Sequence, residues 1–75
     1  MPYDSRVTGR VIARLRRNKG ISQENLSAFA GVARSHLAMI ETGAVRANVD
    51  TLWRISEALG IRLSELIRLA EEEME

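Results

Sequence analysis

The chain has 75 residues and no cysteine, with 45% hydrophobic and 28% charged residues, a composition typical of one small globular domain. This excludes a disulfide framework and a cysteine-based zinc site, and no apolar run approaches the roughly 20 residues that span a membrane. The net charge of +1 is uneven, because residues 1–46 carry net +5 (eight basic, three acidic) and residues 47–75 net −4 (three basic, seven acidic). Such a division favours a fold with one positively charged face that contacts phosphates, although scattered surface charge would give the same two net charges.

Five helices joined by short turns are predicted in chain order, and no segment alternates as a half-buried strand would. Glycines at positions 20, 43 and 60 stand where helices would close, and Ser22 and Asn48 stand where side chains would cap the second and fourth helices. The expected inward residues, taken helix by helix, are Ile12 and Leu15; Leu26 and Ala30; Val32, Leu37 and Ile40; Val49, Leu52, Ile55 and Leu59; and Leu63, Leu66, Ile67 and Ala70. The pattern predicts an all-α, compact five-helix bundle, a single domain over 1–75 with an acidic tail over 70–75.

The second and third helices are short and are separated by Gly31, which suits a tight turn because glycine adopts positive φ at little cost. Ser27 stands where the two helices should cross, and its small side chain would let them approach. Such a pair is typical of a helix-turn-helix, whose second helix inserts into the major groove of DNA.

The strings LRRNKGISQENLSAFAGVARSHLAMIETG and VDTLWRISEALGIRLSEL resemble the Xre/Cro-type helix-turn-helix family of phage repressors and bacterial regulators. The resemblance covers about residues 9–67, and its motifs are spread along the chain: Ser-Gln-Glu at the second helix, then Gly-Val, Ile-Glu-x-Gly and Thr-Leu. It implies a phage-repressor-like DNA-binding fold with the helix-turn-helix at helices 2 and 3, and a function that needs no cofactor.

The resemblance also implies which residues contact DNA bases. Arg34 and Ser35, at the start of helix 3, should reach base edges, with Ala38 and Met39 one turn later. Arginine can pair bidentately with guanine, whereas alanine and methionine offer only apolar contact, for instance to a thymine methyl. The alternative for Arg34 is an ordinary solvated surface arginine.

Contacts to the DNA backbone are expected from a second set of residues. In the family, the glutamine at the position of Gln23 contacts a phosphate at the start of a helix, where free N–H groups favour anions. His36 stands where the family often has tyrosine, and a protonated histidine there would strengthen a phosphate contact, although it could also be a neutral packing residue. The remaining phosphate candidates are Arg46 and Asn48, after helix 3, and Arg17, on the basic face of helix 1 with Arg14.

Two residues are set apart from DNA by the resemblance, which implies that Arg16 and Glu41 form an ion pair inside the domain. The chain departs from the family at Ala33, where serine or threonine usually caps helix 3, and at Phe29 and Trp53, where polar residues are usual. The two aromatics could be covered by neighbouring long side chains. Alternatively, Trp53 and Leu69 belong to a dimer contact, because exposed large apolar groups often mark partner sites.

The function expected from these features is a sequence-specific, double-stranded DNA-binding transcriptional regulator, a homodimeric repressor on a palindromic operator whose activity a partner protein could control. Short family members include phage repressors, restriction-modification controllers and antitoxins. The alternative is a helical protein-interaction module that has kept the fold but lost specific DNA binding, which the apolar Ala38 and Met39 would allow. An enzyme is not expected, since there is one histidine, no cysteine and no phosphate-binding glycine loop. For the same reason no metal site is expected. We expect a cytoplasmic protein that joins the nucleoid when it binds DNA.

Overall fold

The computed structural model describes residues 2–75. Within them the structure has the five predicted helices and no strand: α1 (Ser5–Asn18), α2 (Gln23–Ala30), α3 (Arg34–Thr42), α4 (Val49–Leu59) and α5 (Leu63–Met74). The bundle measures 33 × 22 × 20 Å. Helix α1 packs against α3 and α5, whereas α2 packs against α3 and α4. The all-α five-helix prediction is confirmed.

Side-chain caps begin three of the helices. The Ser22 hydroxyl accepts from the Asn25 N–H at 3.0 Å and the Asn48 side chain accepts from the Thr51 N–H at 2.8 Å, so both predicted caps are present. Asp4 caps α1 in the same way, a role that the sequence analysis missed. The hydrogen bonds that Asp4 accepts from the Arg6 side chain and backbone lower the pKa of this carboxyl.

The hydrophobic core is formed by all five helices. Its fully buried members include Val11 and Ile12 of α1, together with Leu26, Leu37, Ile55, Leu59 and Leu66. The prediction that Val49 is inward is wrong, because this side chain is 70% exposed. Val49 is the first residue of α4 and lies at the edge of the buried stripe formed by Leu52, Ile55 and Leu59. None of the helices in residues 2–75 is both long enough and apolar enough to cross a membrane.

Gly9, in the middle of α1, allows this helix to approach α3 closely. A Cβ at position 9 would overlap the Ile40 carbonyl oxygen and lie 3.0 Å from that of Glu41. Since both atoms belong to the backbone of α3, the helices would have to separate to make room. The glycine therefore sets the spacing between α1 and the helix that carries the candidate base readers.

We expect Gly9→Ala to destabilise the domain by at least the roughly 1–3 kcal/mol typical of overpacking, despite the better helix propensity of alanine. Urea denaturation followed by circular dichroism measures this. Arg10→Ala, an exposed change at the next position of the same helix, should stay within about 0.5 kcal/mol of wild type. Equal midpoints for Gly9→Ala and wild type would show that α1 does not need this close approach.

Candidate nucleic-acid interface

The turn between α2 and α3 holds the two helices in a fixed relation. Gly31 closes α2 in the left-handed conformation, at φ 68° and ψ 33°. The Val32 N–H then donates to the Ser27 carbonyl at 2.9 Å, and buried Ser27 donates through its hydroxyl to the Glu24 carbonyl at 2.8 Å. These bonds satisfy the polar groups at the crossing, so the small, buried Ser27 side chain leaves nothing unpaired where α3 meets α2.

One side of α3 faces solvent, and it carries both polar and apolar side chains. Leu37, Ile40 and Glu41 are buried, and they leave Arg34, Ser35 and Met39 exposed, with Ala38 partly buried. All four base-reading candidates therefore share the outer side of α3. Thr42 is also exposed on this side, one turn after Ala38, and the sequence analysis missed it although the helical spacing would have found it.

The start of α3 carries no side-chain cap. Ala33 is in extended conformation, at φ −60° and ψ 140°, and its methyl side chain has no atom that could accept a hydrogen bond from the helix. The first-turn N–H groups of α3 therefore depend on solvent or a bound group, and the positive end of the helix dipole favours an anion there. This is the end where Arg34 and Ser35 lie.

A buried network ties α1, α2 and α3 together behind this face. Arg16 donates to both carboxylate oxygens of Glu41, from Nε at 2.7 Å and from a terminal nitrogen at 3.0 Å. Its other terminal nitrogen donates to the Ile21 carbonyl at 2.9 Å. The Gln23 amide nitrogen adds a bond of 2.9 Å to the same carboxylate. Arg16 and Glu41 thus lie in contact as the resemblance implied, and they fix the rotation of α3 about its axis.

Gln23 is less free than the sequence analysis assumed, because its amide nitrogen is bonded to Glu41 and the residue is only partly exposed. An amide nitrogen has two hydrogens, however, so one remains for a phosphate. The bond to Glu41 would hold this second hydrogen in place. Gln23 is the first residue of α2, at the end of the helix that attracts anions.

The other backbone candidates lie at several places around α3. Arg46 is exposed in the loop between α3 and α4, and Asn48 uses its side-chain oxygen as the cap of α4, which leaves the amide nitrogen for another partner. His36 is partly buried on α3, and Arg17 is exposed near the end of α1. These candidates thus lie at the end of α1, on α3 and in the segment between α3 and α4.

Trp53 and Leu69, the two dimer candidates, do not lie on one surface. Trp53 is 53% exposed and lines a groove between α4 and α5 with Leu63 and Ile67. Leu69 does not line this groove, and as a residue two positions after Ile67 it lies about 160° around the helix from it. Leu69 instead packs partly buried against the core. Within residues 2–75 the groove, rather than the pair of residues, is therefore a continuous apolar surface that the fold leaves uncovered.

Comparison with known proteins gives the family of this chain. The helix-turn-helix family model matches residues 12–66. The uncharacterized HTH-type transcriptional regulator y4dJ of Sinorhizobium fredii is 36% identical over 67 residues, which are 89% of this chain and 87% of the relative. The restriction-modification controller protein C.AhdI of Aeromonas hydrophila is 32% identical, with a TM-score of 0.81 over 84% of this chain and 96% of its own.

A more distant solved structure extends the likeness over the whole fold. The clp gene regulator ClgR of C. glutamicum has a TM-score of 0.90, covering 100% of this chain and 97% of its own, at 21% identity. This likeness concerns the fold alone. It extends over all five helices. The chain is a member of the Xre/Cro-like helix-turn-helix family of DNA-binding transcriptional regulators.

Proposed function

We propose that this protein binds double-stranded DNA sequence-specifically and represses transcription as a homodimer on a palindromic operator. The observation that carries the proposal is the outer face of α3, which leaves Arg34, Ser35 and Met39 exposed on a helix fixed from behind by the Glu41 network. A rigidly held helix with an uncapped, exposed start is suited to entering the major groove. We place this activity in the cytoplasm, with the protein on the nucleoid when it is bound to DNA.

In the proposed complex, α3 reads bases and its surroundings hold the backbone. Arg34 donates two hydrogen bonds to a guanine, and Ser35 bonds a neighbouring base edge. Ala38 and Met39 pack against apolar groups such as a thymine methyl. The phosphates are held by Gln23, through its second amide hydrogen, and by His36, Arg46, Asn48 and Arg17.

We propose the groove between α4 and α5 as the dimer surface. Trp53 and Val49, four residues apart on α4, are both exposed, and Ile67 lies beside both of them. Exposed Tyr3 extends the same apolar strip from the amino terminus. A second copy related by a two-fold axis would cover this strip with the same strip, and the two α3 helices would then address half-sites about 34 Å apart.

We expect Trp53→Ser to weaken dimerisation at least about 30-fold, because a central aromatic commonly contributes 2 kcal/mol or more to an interface. Sedimentation equilibrium measures the dissociation constant. Phe29→Ser is the matched control, since Phe29 is an exposed aromatic of α2 that does not line the groove. Leu69→Ala tests the second dimer candidate by the same measurement. Dissociation caused by Leu69→Ala or Phe29→Ser, but not by Trp53→Ser, would place the dimer surface elsewhere.

Among regulators of this kind, control of a restriction-modification system is one role that the likeness to C.AhdI supports, and phage repressor and antitoxin remain the other two. A protein partner that binds the regulator could set its activity in any of them. The relatives named above are regulators, and none of them supports the interaction-module alternative.

Selection from a random duplex library at near-physiological salt tests the proposal. Enrichment of a palindrome would establish a dimeric reader of sequence. Retention of DNA only at low salt, with no consensus, would indicate backbone attraction alone and would favour a module that has lost specific DNA binding.

A further inference from the structure

From position 6 to position 17 the exposed side of α1 consists of arginine, and exposed Asn18 follows at the end of the helix. Between positions 6 and 17 every exposed residue is an arginine, namely Arg6, Arg10, Arg14 and Arg17, and the other residues of this span are buried or partly buried. Solvated helix faces usually mix both signs, and the exposed residues of α5 do so, with serine, arginine and glutamate. We call the four residues the α1 arginine face. A face of one sign and one residue type indicates a polyanionic partner.

Two of the four arginines are held by carboxylates, and two are not. Arg6 donates to Asp4 at 3.0 Å, and Arg14 is paired with Glu73 of α5. In the part of the chain that the structure describes, Arg10 and Arg17 have no ion-pair partner. The α1 arginine face therefore keeps a net positive charge after its internal pairs are counted.

Both ends of the α1 arginine face lie next to proposed contacts with the DNA backbone. At one end, the turn over residues 19–22 joins Arg17 directly to α2 and Gln23. At the other end, Arg6 packs on the loop after α3, where a Cβ at Gly43 would overlap its side chain, and Arg6 and Arg46 line the same groove. The face thus runs from one group of proposed phosphate contacts to the other.

The length and chemistry of the face suit a nucleic-acid backbone. Arg17 lies eleven positions after Arg6, which is about 16 Å along a helix. At 3.4 Å per phosphate along one strand, this length corresponds to about five base pairs of duplex DNA. The planar guanidinium groups match phosphate oxygens in two-bond geometry, which a lysine ammonium does not.

We propose that the α1 arginine face is a further DNA-backbone surface, which contacts phosphates of the duplex beyond the bases read by α3. Arg6 and Arg10 are its new members, since Arg17 is already a phosphate candidate. This inference rests on the proposed function only in requiring that the protein binds duplex DNA. It does not depend on sequence preference.

The salt dependence of binding to a mixed-sequence duplex of roughly 40 base pairs tests the inference, because each phosphate contact contributes about 0.9 to the slope of log K against log salt. We expect Arg6→Gln/Arg10→Gln to lower the slope by about 0.9 through unpaired Arg10 alone, and by about 1.8 when Arg6 exchanges Asp4 for a phosphate. The matched control, Arg54→Gln/Arg68→Gln, removes two exposed arginines of α4 and α5 and should keep the wild-type slope. Circular dichroism melting curves establish that each variant is folded.

A wild-type slope for Arg6→Gln/Arg10→Gln would overturn the inference. If this variant has the wild-type slope but no longer binds poly-glutamate, the inference is also overturned, and the face is assigned to an acidic protein. A lowered slope in a protein whose library selection gives no consensus would support the arginine face while rejecting the proposed sequence reading. The two proposals can therefore fail separately.

Discussion

Replacing Glu41 by alanine should remove a large part of the stability of the domain. The substitution leaves the Arg16 guanidinium, whose side chain is only 11% exposed, without the carboxylate that accepts two of its hydrogen bonds. Breaking a buried pair in this way costs about 3–5 kcal/mol, against roughly 4–11 kcal/mol for the unfolding of a domain of this size. The Gln23 amide loses its acceptor as well. Urea denaturation at neutral pH measures the loss.

The double variant Arg16→Met/Glu41→Leu tests whether Glu41→Ala is destabilised mainly because it leaves the buried Arg16 charge unpaired. Because both charges are removed and similar volume is kept, it should be more stable than Glu41→Ala, as apolar replacements of buried pairs often are. A Glu41→Ala protein within about 1 kcal/mol of wild type would show that Arg16 finds another partner or reaches solvent.

Replacing Arg34 by alanine should reduce affinity for the preferred duplex about 5- to 150-fold, the range that corresponds to the 1–3 kcal/mol of one bidentate arginine–guanine contact. Affinity for mixed-sequence duplex should fall far less, because Arg34 contributes there only as a general charge. Fluorescence anisotropy at fixed salt measures both. The fold should be unaffected, since Arg34 is exposed and makes no ion pair within residues 2–75. Equal losses on the two duplexes would make Arg34 a backbone contact.

The elements that depend on local signals could be predicted from sequence. Ser22, Gly31 and Asn48 act within a turn of their own position, as cap, helix end and cap, and the structure places each in that role. The outer face of α3 follows in the same way, because burial of Leu37 and Ile40 on a regular helix leaves the opposite side exposed.

What the sequence could not predict depends on how helices pack against one another. Gly9 gives no sign of its contact with α3, and the exposure of Val49 depends on which edge of α4 the other helices cover. The bond from Gln23 to Glu41 joins residues 18 positions apart. The sequence shows that α1 is a basic helix. It does not show that every exposed residue from position 6 to position 17 is an arginine, because this depends on the burial of the residues between them.

Parallel library selections test whether α3 reads bases through Arg34. Wild type, Arg34→Ala and Arg54→Ala are selected against the same random duplexes, Arg54 being an exposed arginine of α4. If Arg34 reads a base, wild type and Arg54→Ala enrich the same palindrome. Arg34→Ala then loses the specified base at one position in each half-site. An identical consensus from all three proteins would contradict the assignment of Arg34 to base reading.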